Sequence, residues 1–209
     1  MIHSDVTLRE FLPQDAKAVR AIIREAWHYN DLCGAKAAEK LSNVFLNSCL
    51  TNQTYTQVAV KGGVPAGIIM VKDRRNHSPS LRYRLAQIRS ILSLYLSREG
   101  RAVSKIFQGV NDVDRQLLNA CRTDYQGELS FFAVSAEARG TGIGKLLFQS
   151  AQNYMQSRGI ETFYLFTDTS CNYGFYEHAG LHRRCEMGKQ FQIKGETAEM
   201  TFFLYDNLP

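Results

Sequence analysis

Ala133-Val134-Ser135-Ala136-Glu137-Ala138-Arg139-Gly140-Thr141-Gly142-Ile143-Gly144-Lys145-Leu146-Leu147 reads as the end of a strand that passes through a glycine loop into an amphipathic helix. That order builds an anion cradle. Gly140, Gly142 and Gly144 can take backbone angles closed to other residues and, without side chains, let a phosphate come close to main-chain N–H groups. The helix behind them offers unpaired N–H donors and the positive end of its dipole, and Lys145 adds a full positive charge.

Spacing narrows the choice of phosphate ligand. The dinucleotide fingerprint needs Gly-x-Gly-x-x-Gly, whereas this loop reads Gly-x-Gly-x-Gly, which argues against a Rossmann site. A Walker loop needs four residues between its first glycine and the Gly-Lys pair, followed by Ser or Thr. Here three residues separate Gly140 from Gly144, and Leu146 follows Lys145. The pattern that fits is Arg-x-x-Gly-x-Gly, filled by Arg139, Gly142 and Gly144, and it resembles motif A of the GNAT superfamily of acyl-CoA-dependent N-acetyltransferases. Upstream, Gly127-Glu128-Leu129-Ser130-Phe131-Phe132-Ala133-Val134 reads as a buried strand with a carboxylate at its start. Downstream, Asn172-Tyr173-Gly174-Phe175-Tyr176-Glu177-His178-Ala179-Gly180-Leu181 resembles motif B of the same family. The likeness is sharp over about residues 127 to 182 and diffuse elsewhere.

The resemblance implies acetyl-CoA as cosubstrate. Its pantetheine arm would lie between the strand ending at Val134 and the next one, pairing with the main chain of Phe132, Ala133 and Val134. Its pyrophosphate would sit on the N–H groups of Arg139, Gly140, Thr141, Gly142, Ile143, Gly144 and Lys145. Tyr176 takes the position of the family's usual general acid, with core packing as the alternative. Glu128 stands where some members carry a catalytic glutamate, with a strand-end surface carboxylate as the alternative. An acceptor amine is protonated at neutral pH and needs such a base. Six residues separate Glu128 from Val134, so in a regular strand both point to one face. Asn172 is a weaker transfer: the family's cofactor-binding Asn stands seven residues before the tyrosine, where this chain has Thr169, and Asn172 is equally suited to capping a helix. Cys171, His178 and His182 read as bystanders. The reaction implied is acetyl transfer to a primary amine, small molecule or peptide, by direct attack in a ternary complex; the alternative is a non-catalytic acyl-CoA-binding regulatory module.

A chain of 209 residues with 44% hydrophobic content can bury one substantial core, and residues 1–209 are expected to form a single domain. The start of the chain has no basic region followed by an apolar run, and no stretch approaches a bilayer span, so a soluble cytoplasmic protein without membrane contact is expected. Cys33, Cys49, Cys121, Cys171 and Cys185 are odd in number and lack metal-ligand spacing. Reduced thiols and no metal follow. The net charge of +5 is uneven: residues 74–105 hold eight Lys or Arg against one acid, Glu99. Leu81, Leu85, Ile88, Leu92 and Tyr95 in that segment repeat at helical spacing, which predicts an amphipathic helix with a basic outer face. No aromatic interleaving accompanies the charge, so nucleic acid is not an expected partner; a homodimer remains open.

Periodicity and turn residues predict an α/β chain of the α+β type, a mixed, mostly antiparallel sheet with helices on both faces. The expected elements are strands over 6–11, 55–60, 64–72, 127–134, 162–167, 182–187 and 200–205. Helices are expected after Pro13 and Asp15, over 35–50, after Gly142 and over 173–179. Gly62-Gly63 suits a tight hairpin turn, and Lys194-Gly195 marks a turn between the last two strands. Residues from about 81 to 122 form a helical insertion before the cofactor-binding strand.

Overall fold

The computed structural model describes residues 5–193 and 196–209; the Lys194-Gly195 turn lies outside the described residues. The chain opens with strand β1 (Val6–Arg9) and a single 3-10 turn at Pro13–Asp15, then helix α1 (Ala16–Ala26). Asp15 is buried in that turn, where it pairs with Arg9 at 2.6 Å and accepts the Leu12 N–H at 2.8 Å. A short helix absent from the sequence expectation, α2 (Tyr29–Leu32), precedes α3 (Ala35–Thr51). Strands β2 (Tyr55–Lys61) and β3 (Val64–Asp73) follow, joined by Gly62 and Gly63 at φ 56° and 80°. Two successive left-handed residues give the turn whose twist matches that of a hairpin.

The insertion is a pair of helices, α4 (Leu81–Tyr95) and α5 (Arg98–Cys121). The chain then runs through β4 (Gly127–Val134), α6 (Ile143–Ser157), β5 (Phe163–Asp168), α7 (Gly174–His178), β6 (His182–Ile193) and β7 (Glu196–Asp206). Among the described residues the strands form one sheet in the order β1-β2-β3-β4-β5-β7-β6, in which β4 and β5 are parallel and every other pair antiparallel. Val19, Ile23, Leu41 and Leu46 of α1 and α3 pack on Val58, Ile68, Met70 and Phe131. Val113 and Leu117 of α5 continue that layer across Tyr164, Phe202 and Leu204. Ile143, Leu147 and Ala151 of α6 cover the other face against Ile69, Val71, Leu129 and Leu165. The mixed, mostly antiparallel sheet with helices on both faces is what the patterning predicts.

Three details depart from the sequence reading. Strands β6 and β7 are longer than expected at their shared turn, because β7 meets β5 only over Phe202–Asp206 and the rest of the hairpin projects beyond it. Exposed polar residues there, among them Gln190, Gln192 and Glu199, hide the apolar alternation. The thiols of Cys121 and Cys185 lie 2.7 Å apart, a contact between the end of α5 and β6 that their spacing in sequence did not suggest. The apolar stripe of α4 faces outward rather than inward: Leu81, Leu85, Ile88, Leu92 and Tyr95 are exposed, while Ser90 and Leu94 are buried.

Candidate active site

The ladder between β4 and β5 holds two residue pairs, Gly127 with Phe163 and Glu128 with Tyr164. Past them the two strands part. The Ser135 N–H donates to Ala66 O, toward β3, at 2.9 Å. Backbone groups alternate along a strand, so the N–H and C=O of Val134 and of Phe132 face the open side. Among the described residues the Val134 carbonyl there accepts a single, side-chain donor, Arg139 Nε at 3.2 Å.

The open edge leads straight into the glycine loop. Gly140 and Gly142 sit at φ 75° and 86°, and Gly142 is the N-cap of α6. The first hydrogen bond of the helix runs from Leu146 N to Gly142 O at 3.1 Å. Among the described residues, the amides ahead of it, from Gly142 to Lys145, meet no acceptor. Four aimed donors and a helix dipole remain. Gly144 corrects the sequence reading: it has ordinary helical geometry, and a Cβ placed on it would stand 3.6 Å from Phe132 and 3.7 Å from Phe175. Lys145 is exposed. The Arg139 guanidinium turns away from the loop and pairs with Glu25 of α1 at 3.2 Å; the same carboxylate accepts the Ala136 N–H at 2.8 Å.

Across the cleft, α7 brings Tyr176 to the Phe132 ring, with centroids 6.4 Å apart. Its hydroxyl has no hydrogen-bond partner among the described residues, and burial, helped by the nearby Cys171 thiol, pushes the phenol up. Helix α7 is short, so its placement comes from outside it. Arg183 of β6 donates to Glu177 at 2.9 Å and to the Tyr205 hydroxyl at 3.0 Å, and lies 4.2 Å from the Phe203 ring centroid. Asn172 is exposed, and no side-chain bond caps α7, so the capping alternative is not realised. Thr169 exchanges hydrogen bonds with Thr201 of β7.

Glu128 lies on the other side of the sheet from Val134. The register between β3 and β4 slips at Ser130, a bulge that reverses the alternation, so Leu129, Phe132 and Val134 all face α6. Glu128 faces α5 instead, opposite Lys72. Burial raises its pKa, while Lys72, hydrogen bonding from Tyr164, Arg74 and His77 pull it back down.

Residues 18–181 match the acetyltransferase (GNAT) family. This chain belongs to that family. Solved structures from the wider GNAT fold resemble it along nearly its whole length. An acetyltransferase of GNAT family from Streptococcus pneumoniae shares 17% identity over 98% of this chain and 100% of its own, with a TM-score of 0.53. An N-acetyltransferase from Staphylococcus aureus Mu50 shares 13% over 98% and 100%, at 0.54. PH1933 from Pyrococcus horikoshii OT3 shares 13% over 98% and 99%, at 0.60. At these identities the likeness is one of fold. Among curated proteins none matches the sequence.

Around the GNAT core the structure gathers residues that the sequence reading missed. Asp114 of α5 lies close enough to Glu128 and Asp168 that burial and those two carboxylates hold its pKa up at about 7. Asp168 is buried at the end of β5, braced by the Ser170 N–H at 2.7 Å. The Tyr29 hydroxyl of α2 is buried with no hydrogen-bond partner among the described residues, and it lies within electrostatic range of Cys49 and Cys171, as those thiols do of Glu128 and Asp168 respectively. No motif joins these positions. Asp114 sits in an amphipathic helix where a carboxylate reads as solvated, and only the packing of α5 over β6 and β7 turns it inward.

Proposed function

We propose that this protein transfers an acetyl group from acetyl-CoA to a primary amine by direct attack within a ternary complex. The observation that carries the reading is the two-pair ladder between β4 and β5, whose open edge runs into the free amides at the start of α6. A linear ligand with amides along its length and an anionic end matches that run of groups: Phe132 and Val134 would hold the pantetheine arm and the amides from Gly142 to Lys145 the pyrophosphate, whereas the Ala133 backbone turns toward β3 and the Arg139 and Thr141 N–H groups donate to Ala136 O and Ala138 O at 3.2 and 3.4 Å. Acetyl-CoA supplies the activated acyl group as a thioester.

The remaining chemistry belongs to the side chains. The Val134 N–H faces the open edge, where a preorganised donor polarises an acyl carbonyl. Glu128, its carboxylate made a stronger base than usual by burial, takes the proton of the incoming ammonium through a water, since it approaches from the face of α5. Tyr176, a phenol kept protonated by burial, returns a proton to the departing sulfur. Asp114, near both Glu128 and Asp168, favours a cationic acceptor over an anionic one, and the unpartnered Tyr29 hydroxyl is a hydrogen-bonding group for one of its polar atoms. Asn172, exposed at the mouth of α7, is left to the pantetheine arm.

The test is thiol release from acetyl-CoA across a panel of amines and peptides, with a blank lacking acceptor. Acceptor-dependent release that falls about 10²-fold in Tyr176→Phe is expected. Tight acetyl-CoA binding without release for any acceptor would favour a regulatory module that retains the site and has no turnover.

A further inference from the structure

Eight large apolar side chains stand exposed among the described residues, and six of them belong to α4 and the residue that ends it: Leu81, Leu85, Ile88, Leu92, Tyr95 and Leu96. Their relative exposures run from 39% at Tyr95 to 83% at Leu96. At 3.6 residues per turn all six fall within an arc of about 100°. Arg84 borders that arc on one side, and Arg82 and Arg89 border it on the other; all three are exposed. The helix is mounted inside out. The side turned to the protein carries Ser90, Gln87 and Ser93 beside two apolar anchors, buried Leu94 and half-buried Tyr83, and Lys40 of α3 fastens it by donating to the Ser93 carbonyl at 2.8 Å.

The charge around the stripe says what covers it. Helix α4 contains no acidic residue, and the one acid between residues 74 and 105, Glu99, is engaged by the Gly34 N–H at 2.6 Å. A second copy laid stripe to stripe would set arginine flanks against arginine flanks with no carboxylate between them. A bilayer with anionic headgroups suits both features: the stripe enters the acyl boundary while arginines on either side reach phosphates. At 15 residues the helix is about 22 Å long, shorter than a spanning segment, and no helix among the described residues is long and apolar enough to cross a membrane. We propose that the outward face of α4, Leu81 to Leu96 with Arg82, Arg84 and Arg89, is a docking surface for an anionic lipid bilayer on which the protein sits peripherally. The proposal goes beyond the expectation of no membrane contact and is independent of the acyl-transfer reading.

Co-sedimentation of the full chain with vesicles of phosphatidylcholine, alone or mixed with phosphatidylglycerol, tests it. Binding to the mixed vesicles is expected, weaker on phosphatidylcholine alone and weaker in salt. Leu85→Glu with Leu92→Glu should lower the partition coefficient at least tenfold while circular dichroism stays unchanged, because both positions are exposed. Arg82→Ser with Arg84→Ser and Arg89→Ser provides a second variant that leaves the stripe intact and should lose about fivefold per arginine. The proposal fails if mixed vesicles do not bind the protein, or if binding survives both variants. It also fails if the wild type is a dimer that Leu85→Glu with Leu92→Glu converts to monomer, which would give the face to a second copy.

Discussion

The two walls of the cleft are built from different materials. On the side of the loop between β4 and α6 nearly every functional group is backbone: the amides from Gly142 to Lys145 and the open edge at Phe132 and Val134. On the side of α5 they are side chains delivered by four separate segments, Tyr29, Asp114, Glu128 and Asp168. A backbone site depends on local chain geometry, so a dozen consecutive residues can specify it. A side-chain site depends on which segments meet, and a substitution there tunes charge rather than removing the site.

That contrast predicts unequal damage. Gly142→Glu should be the most severe change. A left-handed φ of 86° costs a residue with a side chain about 1–2 kcal/mol of stability, while its carboxylate would compete for the amide cluster, an attraction worth up to about 2 kcal/mol, and repel the pyrophosphate by about as much again. Acetyl-CoA affinity should fall about 10³-fold by calorimetry, and the rise in Tm that acetyl-CoA gives the wild type should disappear. Unchanged affinity would separate the loop from the cofactor altogether.

Glu128→Gln should leave acetyl-CoA affinity intact and lower kcat/KM about 10²-fold. The base acts unprotonated, so in the wild type kcat/KM rises with pH through the pKa of Glu128, which burial holds above the usual carboxylate range. The variant should lose that rise. A profile that keeps its acid limb would assign the proton transfer to another group.

How far each wall could be read from the sequence follows from the same contrast. The loop carried its own spacing, and the left-handed turns at Gly140 and Gly142 were legible before any fold was known, whereas the helical geometry of Gly144 and the pairing of Arg139 with Glu25 were not. Gly62-Gly63 and the strands around it were legible too, because a turn is a local event. Glu128 was singled out by its position in the strand, but the face it points to was misjudged, since a single bulge at Ser130 reverses the alternation and only the register with β3 reveals it. Asp114 was missed because periodicity says which residues of a helix share a face, not which face turns inward. Helix α4 makes the same point in reverse: its stripe was visible, yet α3 takes the other side.

Asp114→Asn should have a smaller effect, dependent on pH. With its pKa held near 7, Asp114 is mainly neutral at pH 6 and ionised at pH 8. Loss of the charge should raise KM for a cationic amine severalfold at pH 8 and little at pH 6. Stability should move the other way. A carboxyl whose pKa is raised on folding binds its proton more tightly in the folded state, so the wild type loses stability as pH rises from the unfolded value of 3.8 toward about 7. The Asn variant escapes that loss, and its Tm should exceed that of the wild type by roughly 2–4 °C at pH 8 if the relief is about 1 kcal/mol. Identical pH dependence in the two proteins would place Asp114 in contact with solvent.

Gly144→Ala should do least of all, and therein lies its use. It stands two residues from Gly142 in the same motif, yet its φ is ordinary for a helix, and the added methyl would meet Phe132 and Phe175 at normal contact distances of 3.6 and 3.7 Å. The N–H of residue 144 is untouched by the change. Replacing Gly by Ala inside a helix stabilises it by about 0.5–1 kcal/mol. Acetyl-CoA affinity should therefore stay within about threefold of the wild type, a change of less than 1 kcal/mol in binding free energy, while Tm rises slightly. If Gly144→Ala instead weakens acetyl-CoA as Gly142→Glu does, the ligand uses the space between Gly144 and the Phe132–Phe175 rings, and the wall on this side is defined by shape as well as by its amides.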